Sequence, residues 1–472
     1  MVTAEKHTRP GRMPAYTATR NACKLCAPLG ACLAFRGVEG AVPFLHGSQG
    51  CSTYIRRYMI SHFREPMDIA CSNFGEATAI FGGKENLRLG LDNVMRQYQP
   101  QLIGIATTCL AETIGDDVGM FLHQIRREAA ASNLPPIVSV STPAYAATHI
   151  EGFHATVRAL VNTLAEPANA TPTEPAHDPA EHSGETPSAG HVNLMPGIVS
   201  PADIRYLREL FADFQLPVSI LPDYSDTLDG PAWEEYARIP PGGTPIAEFR
   251  RAGAARASIE FGASTAGELL EQRFGVARHQ MPMPIGVCLS DGLFDALERI
   301  SGRPTPARHQ AERGRLVDAM VDAHKYVAGK RAVVCGEPDL VVGLAGMLAE
   351  IGVVPAICAT GARNVRLAER LAAVMPEMMS DVAVLEDHDF TEIEERAAGE
   401  PIDLIVGNSK GFKLAQRFDV PLVRVGFPVH DRIGGPRLLH VGYRGAQQLF
   451  DRVANALIEA KQSASPVGYT YM

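Results

Sequence analysis

Short apolar segments separated by longer amphipathic ones are the feature that most restricts what this chain can fold into. Residues 102–106 (LIGIA) and 137–140 (IVSV) are predicted strands, and residues 119–131 between them place apolar side chains at helical spacing. Two strands joined through a helix run parallel, because the crossover returns the chain to the same edge of the sheet. This part of the chain is therefore predicted to form a parallel sheet covered by helices.

The same pattern returns twice along the 472 residues. Residues 191–195, 217–221 and 257–261 predict a second set of strands, and five apolar segments from residue 331 to residue 425 predict a third. We therefore predict an α/β fold of three doubly wound, Rossmann-like domains with parallel sheets. The predicted parts are an N-terminal arm (1–20), three α/β domains (21–165, 191–327 and 328–472, the last with a C-terminal helix) and an acidic Pro/Ala-rich linker (166–190) that has almost no large apolar side chain.

The charge balance restricts the possible partners. The formal net charge is -9 and the isoelectric point is near 5.9, which argues against a nucleic-acid binder because phosphate recognition needs clustered Lys and Arg. No run of about 18 apolar residues occurs, and the first residues lack an apolar leader segment. The sequence thus predicts a cytoplasmic protein that binds neither nucleic acid nor membrane.

Cysteine placement is more informative than cysteine number. Six of the nine cysteines lie in the first quarter of the chain, and they are Cys23, Cys26, Cys32, Cys51, Cys71 and Cys109. Cys26 and Cys51 lie in glycine-rich stretches, and Cys109 follows the predicted strand 102–106, at the edge where doubly wound sheets bind ligands. Thiolates are soft ligands that suit iron–sulfur clusters and zinc. These cysteines are therefore candidate metal ligands.

Residue types and spacing alone leave other interpretations open. Scattered thiols commonly behave as small buried hydrophobes. The pair Cys23 and Cys26 is a CxxC motif, which is also typical of zinc sites and thioredoxin-like dithiols. However, no second CxxC or paired histidine completes a zinc site, and the motif does not follow a thioredoxin-like strand.

Longer motifs point to one family. The sequence resembles the β-type subunits of nitrogenase component 1 over about residues 20–460, with the acidic linker as the main gap. The motifs that carry the resemblance are 46–51 (HGSQGC), 62–66 (HFREP), 81–83 (FGG), 107–117 (TTCLAETIGDD), 312–316 (ERGRL), 407–409 (GNS), 424–428 (RVGFP) and 442–443 (GY).

The resemblance implies a set of metal ligands. In this family the β subunit supplies three thiolates to an [8Fe-7S] P-cluster that it shares with an α-type partner, and Cys26, Cys51 and Cys109 match those positions. A smaller [4Fe-4S] cluster is the alternative. Residues predicted to support the site without binding iron are Cys23, His46, Gly50 and Cys71. Ala144 follows Thr142 and Pro143 where the family has a serine that can join the oxidised cluster, so no serine ligand is implied there.

The resemblance also implies a function, and more than one member of the family fits it. The first interpretation is an electron-relay subunit of a nitrogenase, or of a nitrogenase-like enzyme such as methylthio-alkane reductase. Its partners would be an α-type subunit, in an α₂β₂ heterotetramer, and an ATP-dependent [4Fe-4S] reductase, and it would carry no catalytic residue itself. The second is the β-like half of the iron–molybdenum cofactor maturation scaffold, which residues 222–230 (PDYSDTLDG) resemble. The third is a non-redox interaction module with the same fold.

Overall fold

Three parallel sheets organise the protein. The computed structural model describes residues 22–128, 134–168 and 190–467, so the predicted N-terminal arm and most of the predicted linker lie outside the described residues. Within these ranges every pair of neighbouring strands in the three sheets is parallel. The predicted fold class is therefore confirmed, whereas the exact domain boundaries remain a prediction.

The first sheet has the strand order β2-β1-β3-β4. Its strands are β1 (Ala41–His46), β2 (Ala70–Cys71), β3 (Leu102–Thr107) and β4 (Ile137–Val140). Its helices are α1 (Ala27–Arg36), α2 (Gln49–Phe63), α3 (Glu76–Phe81), α4 (Lys84–Tyr98), α5 (Cys109–Ile114), α6 (Val118–Glu128) and α7 (His149–Leu164). The strand order reverses between β1 and β3, and in doubly wound sheets ligands bind beyond the carboxyl ends of the strands at such a point.

The second sheet repeats this order as β6-β5-β7-β8. Its strands are β5 (Val192–Met195), β6 (Val218–Ile220), β7 (Ala257–Phe261) and β8 (Ala277–Met281). Its helices are α8 (Pro201–Asp213), α9 (Ser225–Asp229), α10 (Ile246–Arg251), α11 (Ala266–Phe274), α12 (Val287–Ser301) and α13 (Ala307–Val327), with a 3-10 turn at Ala252–Ala254.

The third sheet has five strands in the order β11-β10-β9-β12-β13, which reverses between β9 and β12. Its strands are β9 (Arg331–Cys335), β10 (Val354–Ala359), β11 (Ala383–Leu385), β12 (Leu404–Gly407) and β13 (Leu422–Arg424). Its helices are α14 (Pro338–Glu350), α15 (Leu367–Val374), α16 (Phe390–Ala397), α17 (Phe412–Phe418) and α18 (Gly442–Ala464), with 3-10 turns at Pro376–Asp381, Ser409–Gly411 and Gly435–Arg437.

One apolar core joins the three units. The largest cluster of buried side chains contains members of all three sheets, among them Leu45, Leu194 and Val334. A buried hydrogen bond between units adds to it: Nε2 of His154 on α7 lies 2.9 Å from Oδ2 of Asp339 at the start of α14. No helix in the described part of the chain is both long and apolar enough to cross a membrane.

Helix α1 lies at the centre of this core, and all ten of its residues are buried. It crosses α7 at a contact between two glycines. A Cβ atom on Gly30 would lie 1.7 Å from the carbonyl oxygen of His149, and one on Gly152 would lie 2.1 Å from that of Ala27. Only glycine at both positions lets the two backbones approach so closely. The crossing therefore fixes the start of α1, which is the position of Cys26.

Candidate metal centre

The three candidate ligands all stand at helix starts rather than in open loops. Cys51 is the third residue of α2, Cys109 is the first residue of α5, and Cys26 immediately precedes α1. The helices α2 and α5 follow β1 and β3, the two strands between which the order of the first sheet reverses. Helix starts carry a partial positive charge, which favours a thiolate over a thiol. The fold thus places all three thiols at the starts of helices.

The turns that carry Cys51 and Cys109 touch each other. A Cβ atom on Gly47 would lie 1.9 Å from the Oγ1 of Thr108, so only glycine fits between the two turns. The amide of Thr108 also donates to the carbonyl oxygen of His46, at 3.1 Å. The glycine-rich sequence after β1 is therefore explained by the close approach of the two ligand-bearing turns.

Cys26 reaches the same edge through the start of α7. An isolated antiparallel bridge joins Cys26 to Thr148, and the amide of Leu25 donates to the Nδ1 of His149 at 3.3 Å. Because His149 Nδ1 accepts this bond, its Nε2 carries the proton that it shares with Glu337 Oε1, 3.1 Å away. The segment before α1 is thus held from both sides, and Cys26 is fixed beside the loop that follows β4.

The electrostatics of Cys26 show that the three thiols are neighbours. Burial raises the pKa of Cys26 above its ordinary value, and the charges of Cys109 and Cys51 raise it further. A hydrogen bond with the Tyr54 hydroxyl and the charge of Lys410 act in the opposite direction and lower this pKa. Three thiolates so close together repel one another, and a bound cation is the usual means of holding such a set ionised.

Other groups touch the remaining two thiols. The backbone amide of Ala144 donates to the Sγ of Cys109 at 3.3 Å, and the Ser48 hydroxyl lies 3.7 Å from the Sγ of Cys51. All nine cysteines of the chain are free of disulfides. Within residues 22–128, 134–168 and 190–467, no three His, Cys, Asp or Glu side chains converge on a position for a single metal ion.

Two predicted supporting residues, His46 and Gly50, lie beside these thiols. His46 ends β1 and is buried, and its Nε2 lies 3.0 Å from the Oδ2 of Asp116, which also accepts a bond from the amide of Gly83 at 3.0 Å. Burial lowers the pKa of His46, whereas Asp116 raises it. Gly50 is exposed in the first turn of α2, and a Cβ there would meet only Ser48 Oγ, at 4.0 Å. The His46 side chain is thus held by Asp116, whereas the lack of a side chain at Gly50 leaves open space beside the first turn of α2.

The other two predicted supporting residues are Cys23 and Cys71. Cys71 ends the edge strand β2 and is half-buried against the main apolar core. Cys23 is buried in the apolar cluster of the third sheet, together with Cys335, and burial raises its pKa to about 12. The structure therefore brings Cys26, Cys51 and Cys109 together and places Cys23 in another unit.

Sequence reasoning missed two polar contacts of the site. Tyr54, which bonds Cys26, lies one helical turn after Cys51, and this i, i+3 spacing on α2 is a signal that was present in the sequence. Lys410 acts on Cys26 from the third unit, 384 residues away in sequence (410 minus 26). Its motif gave no sign of this contact, because only the tertiary fold brings the two segments together.

Comparisons with known proteins identify the family of this chain. Residues 26–458 match the family described as "Nitrogenase component 1 type Oxidoreductase". The "Nitrogenase molybdenum-iron protein beta chain" of Clostridium pasteurianum is 33% identical over 443 residues, covering 93% of each chain. The "Nitrogenase iron-molybdenum cofactor biosynthesis protein NifN" of Bradyrhizobium diazoefficiens is also 33% identical, over 454 residues that cover 94% of this chain and 92% of that one.

A solved structure gives the same result for the fold. The structure described as "Nitrogenase Cp1 at pH 6.5" superposes with a TM-score of 0.90 at 31% sequence identity, and the match covers 98% of this chain and 99% of that chain. The family match spans the whole described structure except its two ends. The chain therefore belongs to the nitrogenase component 1 type oxidoreductase family.

Proposed function

We propose that this chain is the β-type subunit of a nitrogenase or nitrogenase-like component 1. In this proposal Cys26, Cys51 and Cys109 hold half of an [8Fe-7S] P-cluster-type centre, and an α-type partner supplies the other half in an α₂β₂ heterotetramer. Three thiols lie together at the starts of three helices, at the edge of the first sheet where its strand order reverses. This is the observation that carries the proposal.

The donor set fits such a cluster. The three thiols are half-exposed, so they are open to a group that bonds them from outside the chain. The Ala144 amide and the Tyr54 hydroxyl already bond two of the sulfurs, as donors to cluster ligands do. The exposed Gly50 lets a large group or a partner's backbone approach α2 without meeting a side chain. When bound, the cluster supplies one-electron transfer at low potential.

Exposed apolar side chains of the first unit support a site that is shared with a partner subunit rather than formed by this chain alone. Large apolar side chains that follow β2, β3 and β4 along the chain are exposed, namely Ile80, Phe81, Met120 and Tyr145. Exposed apolar side chains of this kind are typical of protein interfaces. An α-type subunit that covers this region would exclude water from the half-exposed thiols and complete their cluster.

The role of this chain's residues is then to bind, orient and shield. The thiolates would anchor separate irons, and the helix starts behind them would offset their negative charge. Ala144 has no hydroxyl, so this position would contribute only its amide to Cys109. In the relay function, electrons would enter from an ATP-dependent [4Fe-4S] reductase and leave to the active-site cofactor in the α-type partner.

A scaffold for cofactor maturation is the second candidate, and the 33% identity to the cofactor biosynthesis protein of Bradyrhizobium diazoefficiens favours it. The scaffold-like stretch 222–230 does not decide between the two. Its Thr227 donates to the carbonyl oxygen of Arg36 at 2.8 Å, and its Tyr224 donates to the carbonyl oxygen of Val199 at 2.7 Å. The stretch therefore holds the second unit against the end of α1. This structural role is compatible with the relay and with the scaffold.

Turnover separates the two candidates. A relay is refilled after each electron leaves, so the complex with its α-type partner should form many product molecules when given the reductase, ATP and a strong reductant. We expect multiple turnovers with at least one of acetylene, dinitrogen and small methylthioethers, measured anaerobically by gas chromatography.

The matched control is the same complex carrying Cys51→Ala, which should form no product above background. A scaffold would instead give up one cofactor precursor per site. If product never exceeds one equivalent while the complex restores activity to cofactor-deficient nitrogenase, the relay proposal fails and the scaffold function replaces it.

A further inference from the structure

The third sheet has a ligand crevice of its own, beyond the carboxyl ends of β9 and β12, where its strand order reverses. The chain fills that crevice with its own residues 22–25, the segment that leads into Cys26. Cys23 packs among the buried side chains there, and a Cβ on Gly361 would lie 2.8 Å from the Cys23 carbonyl. Lys24 forms an ion pair with Asp387 at 3.2 Å, and Ala22 forms a bridge with Asp389.

Lys410 closes this crevice over the segment. It lies in the 3-10 turn after β12, and its Nζ donates to the carbonyl oxygens of Ala22, at 3.0 Å, and of Lys24, at 3.3 Å. The two bonds grip the backbone on both sides of Cys23. The glycine-containing motif at 407–411 thus binds the protein's own chain.

The ammonium of Lys410 is held by backbone carbonyls. In the part of the chain that the structure describes, it donates to these two carbonyl oxygens and lies 5.7 Å from the centroid of the Tyr58 ring, and the Glu337 carboxylate is close enough to act on its charge. The side chain is half-buried, where charge is screened less than on the surface. The Lys24 carbonyl that Lys410 bonds at 3.3 Å is only two residues before Cys26, so the ammonium lies close to the first candidate ligand.

We propose that Lys410 positions the Cys26 thiolate and sets the reduction potential of the metal centre from the third unit. This inference rests on the proposed cluster at Cys26, Cys51 and Cys109. Reduction adds one electron to the centre and breaks no bond, so a fixed positive charge nearby favours the reduced form. Lys410 is a positioning residue, because it acts through the segment 22–26 and through its field.

The test uses the complete complex, co-purified without oxygen, in three variants: Lys410→Met, Lys410→Arg and Lys413→Met. Lys413 is the matched control, because it is an exposed lysine three residues further along the same region. Iron content is measured first, and the midpoint potential of the centre is then measured by EPR-monitored titration with dithionite and redox mediators.

We expect Lys410→Met to keep its iron and to be harder to reduce, with an equilibrium constant about tenfold lower, which is about 59 mV for a one-electron couple. Lys410→Arg and Lys413→Met should have the iron content and the midpoint potential of the wild type.

Loss of iron in Lys410→Met with full iron in Lys410→Arg also supports the inference. An unchanged potential in an iron-replete Lys410→Met complex overturns it, as does equal iron loss in the Met and Arg variants. A wild-type complex without iron overturns the proposed cluster itself. The iron analysis, which precedes the potential measurement, therefore distinguishes a failure of the proposed cluster from a failure of this inference.

Discussion

Replacing Cys51 with alanine in the intact complex should remove most of the iron from the shared centre and abolish its EPR signal. Cys51 is one of the three proposed ligands, on the first turn of α2, and the Ser48 hydroxyl lies 3.7 Å from its sulfur. A hydroxyl at this distance is a poor replacement for a soft thiolate. Cys51 is half-exposed, so the substitution should change the stability of the fold by only about 0.5 kcal/mol or less.

The control for this prediction is Cys288→Ala. Cys288 is an exposed cysteine in the second unit, and its amide donates to the Oε1 of Glu350 at 2.8 Å. Its replacement should leave iron content and EPR spectra unchanged. Anaerobic metal analysis and EPR of both variants, after co-purification with the partner, provide the measurement. Full iron and an unchanged spectrum in Cys51→Ala would remove Cys51 from the ligand set.

A second substitution should damage the fold and the site together. Gly30→Ala places a methyl group 1.7 Å from the carbonyl oxygen of His149, inside a fully buried helix crossing. Overpacking of this kind costs about 1–3 kcal/mol and occasionally more. Both contact atoms are backbone, so the helices must move apart, and we expect a loss near the upper end of this range. Because α1 begins beside Cys26, the same movement should also lower the iron content.

Gly292→Ala is the matched control, since Gly292 is a helical glycine in α12 whose added Cβ would meet nothing within 4 Å. Alanine in a helix is favoured over glycine by about 1 kcal/mol, so this variant should melt at or above the wild-type temperature. The melting temperatures of the three complexes give the comparison. If Gly30→Ala melts with the wild type, the close crossing of α1 and α7 is wrong.

The fold was largely predictable because parallel strands buried on both faces are apolar along their whole length. The predicted strands at 102–106, 137–140 and 331–335 lie within or coincide with β3, β4 and β9. Three strands escaped prediction. Strand β2 (Ala70–Cys71) is only two residues long, and the other two escaped for physical reasons. The central strand β1 contains Pro43, a residue that normally argues against a central strand, and the edge strand β8 carries Arg278 and His279 instead of an apolar run.

The site was predictable only in part. Motif resemblance named Cys26, Cys51 and Cys109, and the structure places these three together, although their binding of iron stays a prediction. Spacing alone favours a common site for Cys23 and Cys26, since the two form a CxxC motif. The chain turns between them, so that Cys23 packs into the third unit while Cys26 begins α1. Contacts between distant segments, such as that of Lys410 with residues 22–24, leave no local pattern in a single sequence.

The proposed function requires that three thiolates of this chain bind a cluster at the boundary with a partner subunit. Anomalous diffraction from crystals of the anaerobically purified complex, recorded on both sides of the iron absorption edge, would locate each iron. We expect iron peaks within bonding distance of the Sγ atoms of Cys26, Cys51 and Cys109, with further irons on the side that faces the partner. Iron bound elsewhere, with these three sulfurs free in an active complex, would contradict it.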